Sequence, residues 1–233
     1  MSAAVQVFGE QRFELGIAAD KRDVWHAIDM TLYGPQLSAG SVDARRARSG
    51  EVFSVCGLRA HHIPPFGGFT YDNRFLKVRR CERCSWVVAI NQGTVEQEID
   101  FYTRAADGSD VLAAAGGDST LLRAIFTAIL ADAPPGPDAE SGHRSDLLAH
   151  ASIHRPVLHV CEACVEVGAG VAHDGRPCPQ ATVVCGECSF TTGLWAGQKA
   201  GVITGECVVE SPCSVLVALG AHYGVIADGL DAS

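Results

Sequence analysis

Cys161-Glu162-Ala163-Cys164 and Cys185-Gly186-Glu187-Cys188 are two C-x2-C pairs separated by residues 165–184. Two close cysteine pairs are what a tetrahedral Zn²⁺ site takes from a chain: each pair sits on a tight backbone turn, and the intervening loop brings the pairs together. The flanks suit this reading. Val157-Leu158-His159-Val160 enters the first pair and Thr182-Val183-Val184 the second, and both read as short strands ending in metal-binding turns. The stretch therefore predicts one site with Cys161, Cys164, Cys185 and Cys188 as its four ligands.

The same scheme is present upstream. Cys81-Glu82-Arg83-Cys84-Ser85-Trp86 matches Cys185-Gly186-Glu187-Cys188-Ser189-Phe190 at an offset of 104 residues, and Cys56 precedes Cys161 by 105. In this copy Arg59 stands where the leading pair would have its second cysteine. A second site is thus expected from Cys56, Cys81 and Cys84, with His61 as fourth ligand by the shorter C-x4-H closure and His62 as the alternative. A repeat of this kind is one folding unit used twice. Both copies resemble zinc ribbons. The resemblance implies an α+β chain of two tandem zinc-ribbon-like units, each a short antiparallel β structure with metal knuckles and a packing helix. It also implies two zinc ions and a binding role, without choosing a target.

Composition agrees with a folded, metal-holding chain. Of 233 residues, 47% are hydrophobic and 19% charged, which is globular composition. No run of eighteen apolar residues occurs and the N-terminus lacks a basic segment ahead of an apolar one, so neither a membrane span nor a secretory signal is expected. Six of the ten cysteines fall in C-x2-C pairs. That pattern favours metal-bound thiolates in a reducing cytoplasm over disulfides.

The expected organisation has four parts. Residues 1–40 read as an N-terminal extension: a hairpin of Val5-Gln6-Val7 and Phe13-Glu14-Leu15 about Gly9-Glu10, then a helix capped by Asp20 or Asp23 with Trp25, Val24, Ile28 and Leu32 on its core side. Residues 41–132 form the first ribbon unit, with strands at Trp86–Ile90 and Gln97–Tyr102 and a helix from Asp118 or Ser119 carrying Leu121, Leu122, Ile125, Phe126 and Ile129. Residues 133–144 lie in a Pro-, Gly- and Asp-rich linker. Residues 145–233 form the second unit, closed by a helix between Ser211-Pro212 and Tyr223-Gly224. Cys178, Cys207 and Cys213 stand outside the pairs and read as small buried hydrophobes, with Cys178 placed to replace a ligand.

Charge separates the halves. Between Arg45 and Arg83 there are nine basic and three acidic residues, in a chain whose formal net charge is −9. Arg74, Lys77, Arg79, Arg80 and Arg83, interleaved with Phe75 and Trp86, are the cations that could meet phosphates of an RNA-containing assembly such as the ribosome. The second unit is acidic and suits a protein partner better. The chain carries none of the zinc-protease, P-loop, nucleophile-elbow or deaminase signatures. Gly168 and Gly170 make a poor helix after Cys164 for a thioredoxin-type pair. The sequence is thus read as a cytoplasmic zinc-binding adaptor, not an enzyme. A purely protein-binding scaffold is the alternative, and a metal-dependent hydrolase or thiol-redox enzyme is the rival from another class.

Overall fold

The computed structural model describes residues 13–18, 21–32, 52–62, 69, 79–103, 119–132, 140–167, 169–189 and 208–225. The chain divides into two compact units, Met1–Val95 and Glu96–Ser233. This boundary lies well before the expected linker at 133–144.

In the first unit, β1 (Phe13–Ala18), β2 (Lys21–Asp29), β3 (Val52–Phe53), β4 (Arg59–His62) and β5 (Arg79–Arg80) form one sheet in the order β3-β4-β1-β2-β5. The pairs are antiparallel except β2 with β5. Strands β1 and β2 therefore lie inside the sheet and not in an extension packed on it. Trp25 and Ala27 join Phe13, Leu15, Phe69, Cys84 and Val88 in one buried cluster, while Ile28 packs with Val52 and Ala60 in another. The helix expected over this stretch is a strand. Four successive residues, Trp25 to Ile28, are all buried, which needs two opposite core-facing sides and not one helical stripe. Leu32, assigned to that stripe, is 65% exposed. The strand partner Val5–Val7 lies outside the described residues.

Gly16 sits where β2, β1 and β4 run side by side, opposite His26 on one strand and His62 on the other. A Cβ here would lie 2.7 Å from Ile28 Cδ1 and 3.2 Å from Ala60 Cβ. The close approach requires glycine.

Helix α1 (Glu82–Gln92) follows β5, with Cys81 as its extended N-cap and Gly93 at φ 69° closing it in the left-handed region. A strand was expected at Trp86–Ile90. The buried positions Cys84, Ser85, Trp86, Val88 and Ala89 recur with helical spacing, which the short apolar run alone does not distinguish from a strand.

The second unit is mostly helical. Helix α2 (Val95–Thr103) replaces the strand expected at Gln97–Tyr102 and buries Glu98, Ile99 and Tyr102. Helix α3 (Thr120–Ala131) forms as predicted, burying Leu122, Ile125, Phe126 and Ile129. Arg123 pairs with Asp100 and, at 3.7 Å, with Glu96, tying α3 to α2. Helix α4 (Glu140–Ile153) takes in the end of the stretch read as linker, residues 140–144. Its buried positions include Ser145, Leu148, Ala151 and Ser152, a face too small and polar to stand out as an apolar stripe. A two-stranded antiparallel hairpin, β6 (Pro156–His159) with β7 (Thr182–Cys185), follows as predicted. Between its strands lie α5 (Glu162–Val167) and α6 (Ala169–Ala172), and α7 (Ser214–His222) closes the described part and packs on α3 and α4. The described residues form a mixed α/β chain of small sheets and short helices, with Cys/His clusters consistent with metal-binding knuckles. Among the described residues no helix is long and apolar enough to cross a membrane.

Candidate metal centres

Three sets of one histidine and three cysteines converge in this fold, and within each set the ligand-capable atoms lie within 4.8 Å of one another. Each set could hold a metal ion, and Cys3His is a donor set that structural zinc takes.

The first set is His26, Cys56, Cys81 and Cys84. Strand β2 supplies His26, whose Nδ1 is 3.3 Å from Cys56 Sγ and 3.8 Å from Cys84 Sγ. Cys56 sits on the β3–β4 turn, where Gly57 at φ 86° lets its N–H reach Ser54 O at 2.8 Å. The hydroxyl of Ser54 lies 3.1 Å from the Cys56 sulfur. Cys81 donates its N–H to Trp25 O at 2.8 Å, placing the α1 N-terminus beside the histidine strand.

The second set is His154, Cys185, Cys188 and Cys213. His154 ends the turn after α4, with Nδ1 at 3.4 Å from Cys185 Sγ, 3.5 Å from Cys188 Sγ and 3.6 Å from Cys213 Sγ. Cys213 is the N-cap of α7. The buried hydroxyl of Ser189 accepts from Val209 N at 2.9 Å and donates to Val209 O at 3.2 Å, fixing the segment that leads to Cys213. In both sets the serine after the C-x2-C pair is buried, and the N–H of that serine bonds the first cysteine's carbonyl, at 2.9 Å for Ser85 and 3.0 Å for Ser189. This is the physical content of the sequence repeat.

The third set is Cys161, Cys164, His173 and Cys178. His173 Nε2 is 3.3 Å from Cys161 Sγ, and the Cys161 N–H points to Cys178 Sγ at 3.5 Å.

These groupings redraw the expected sites. Cys161 and Cys164 do not share a set with Cys185 and Cys188. The hairpin register pairs Pro156 with Cys185 and His159 with Thr182, so Cys161 lies past one end of the ladder and Cys185 at the other, roughly 10–15 Å away at strand rise. Nor does His61 join Cys56, Cys81 and Cys84. Its side chain is exposed on β4, opposite Ile17, and His26 fills the place. Cys178 and Cys213 are set members and not isolated buried thiols, whereas Cys207 lies outside the described residues. His26, His154 and His173 were not legible as ligands from cysteine spacing, although Cys161-x2-Cys164-x8-His173-x4-Cys178 is a compact pattern that a search for local closure finds.

Of the cationic cluster, Arg74 and Lys77 lie outside the described residues. Arg79 is exposed and 3.5 Å from Glu82. Arg80 is half-buried on the same short strand, and Arg83 donates from Nη1 to Cys56 O at 3.2 Å. Adjacent strand residues point to opposite faces, so Arg79 and Arg80 do not make one surface.

Each set mixes thiols of opposed acidity. Burial pushes Cys84 up, whereas hydrogen bonds from Cys81 and Cys84 draw Cys56 far down. The Cys185 hydrogen bond lowers Cys213 to about 4, against its burial and with help from the backbone N–H groups of Leu216 and Val215. Burial raises Cys164 to about 12, while the backbone N–H of Cys161 lowers Cys178 to about 6. At His26 burial opposes the charged form, but hydrogen bonds to Cys56 and Cys81 outweigh it and raise the imidazole to about 9. One thiolate per set is easily formed and the next is resisted, which is the pattern of packed sulfurs that release further protons when a cation joins them.

No family model, curated protein or solved structure matches this chain.

Proposed function

We propose that the chain is a zinc-held binding protein in which three Cys3His sets each hold one structural Zn²⁺. The observation that carries this is the convergence of four protein donors in every set. Four protein ligands fill a tetrahedral shell and leave no position for water or substrate, which is how structural zinc differs from catalytic zinc. Each ion would cross-link separate elements: β2 to α1, the end of α4 to β7 and α7, and the chain between β6 and β7 to itself.

A protein partner is the reading favoured for the surface. Of the cations proposed for RNA, Arg79 faces Glu82 and Arg83 is committed to the Cys56 carbonyl. Apolar side chains stand exposed in both units, among them Phe53, Phe101, Val165 and Val171. An adaptor that meets an RNA-containing assembly through Arg74, Lys77, Arg79 and Arg80 is the competing proposal.

Elemental analysis of the purified chain tests the first statement: three zinc per chain are expected, and a cobalt-substituted sample should show tetrahedral thiolate absorption that added cyanide leaves unchanged. Absorption that shifts with such a ligand would reveal an open position and favour the hydrolase. Sedimentation with ribosomes across a salt series tests the second. Salt-sensitive association, lost on reversing Arg79 and Arg80 to Glu, would favour RNA.

A further inference from the structure

We propose that the third set is a separately exchanging metal site: a knuckle over Cys161–Cys178 whose ion, a thiophilic divalent cation such as Zn²⁺, enters and leaves without unfolding the unit that carries it. The proposal rests on the reading that the sets hold zinc.

The donors are local. Cys161 lies 12 residues from His173 and 17 from Cys178. The other two sets reach across 58 residues, His26 to Cys84, and 59, His154 to Cys213. Opening either of those disconnects distant elements, whereas opening the third frees only its own segment.

Among its described residues the knuckle also has no apolar interior. Among its described side chains from 161 to 180, only Cys164 and Cys178 are buried, and both are donors. Its valines face outward, Val165 at 75%, Val167 at 53% and Val171 at 72% exposure. The ion would thus be the core of the described part of this segment, so its folding free energy is its metal-binding free energy. By contrast Cys84 is packed among Phe13, Leu15, Trp25 and Val88, and Cys213 is buried at the start of a helix that buries Leu216.

Finally, the site is insulated. Four registered pairs from Pro156↔Cys185 to His159↔Thr182 separate it from the second set. Without metal, residues 160–181 become a longer hairpin loop, and closure entropy rises only with the logarithm of loop length. The ladder stays paired.

The test uses the zinc-loaded full chain, challenged with excess chelator while metal release, far-UV circular dichroism and cleavage by a glutamate-specific protease are followed together. One zinc of three should leave about tenfold faster than the others or more, as expected for local rather than global opening. The dichroism and the main thermal transition should persist, and cleavage after Glu162 and Glu166 should begin in the same phase. Cys178→Ser and, separately, His173→Ala should each abolish the fast phase and leave two slowly released ions. A fast phase that survives both substitutions, or release of all three ions in one step with loss of the fold, overturns the proposal. A chain that binds no zinc in any set overturns the zinc reading, and this one with it.

Discussion

The Nδ1 of His154 stands 3.6 Å from the sulfur of Cys213, 59 residues later in the chain, and 3.4 Å from that of Cys185. One imidazole thereby faces both the end of β7 and the N-cap of α7. His154→Ala should remove one zinc of three and destabilise the second unit by several kcal/mol, since structural zinc contributes about 10–16 kcal/mol of apparent binding energy in small domains. The half-buried His159, outside every set, is the control, and His159→Ala should retain all three ions by elemental analysis.

His26 and His61 are distinguished by the same measurement. His26→Ala should cost one zinc and broaden or abolish unfolding of the first unit, because it also vacates a buried position on β2. His61→Ala, on an exposed face, should keep full metal content and a nearly unchanged Tm. The reverse outcome would restore His61 as the ligand.

At Gly16 the expected effect is steric. Gly16→Val places atoms where Ile28 Cδ1 and Ala60 Cβ already stand, and overpacking of this kind costs about 1–3 kcal/mol. Chemical denaturation should show the loss in the first unit, and pairing the substitution with Ile28→Ala should recover part of it.

Glu98 supplies a pH dependence. Burial raises its carboxyl to about 8, against the opposing hydrogen bond with Tyr102. The folded chain then keeps a proton that the unfolded chain has released at any pH between 4.5 and 8. Stability attributable to Glu98 is therefore full below pH 4.5 and falls as pH rises through that window, by about 3–5 kcal/mol in all. Glu98→Gln should match the wild type near pH 4 and exceed it near pH 8 in parallel thermal melts. Equal stability at pH 8 would show that the carboxyl is not held neutral.

The parts of this fold that were legible in the sequence are those where one signal dominates. Leu122, Ile125, Phe126 and Ile129 have a helical period and little else, and α3 forms where they place it. The β6–β7 hairpin follows from β-branched runs flanking cysteine turns. What misled was burial on more than one side: Trp25 to Ile28 present apolar groups to both faces of a sheet, so their pattern mimics a helix. Metal pairing misled for a topological reason. Cysteine spacing shows that thiols are grouped, but the hairpin ladder decides which groups meet, and the histidines come from strands and helix ends with no spacing rule to mark them. The repeat itself was real in Ser85 and Ser189, yet the lone cysteine precedes its pair in the first set, as Cys56, and follows it in the second, as Cys213.

The compactness of the Cys161–Cys178 knuckle bears on how the chain avoids the wrong partners while it is being made. Synthesis runs from the N-terminus, so all four donors of the knuckle exist before Cys185 has been added, a lead of roughly a second at about 5–20 residues per second. A metal ion captured in that interval commits Cys161 and Cys164 to His173 and Cys178. The pairing of Cys161 and Cys164 with Cys185 and Cys188, which the bare spacing invites, would then be pre-empted by birth order. Cys185 and Cys188 would then follow with His154 behind them and with Cys161 and Cys164 already engaged, and Cys213 would complete their set.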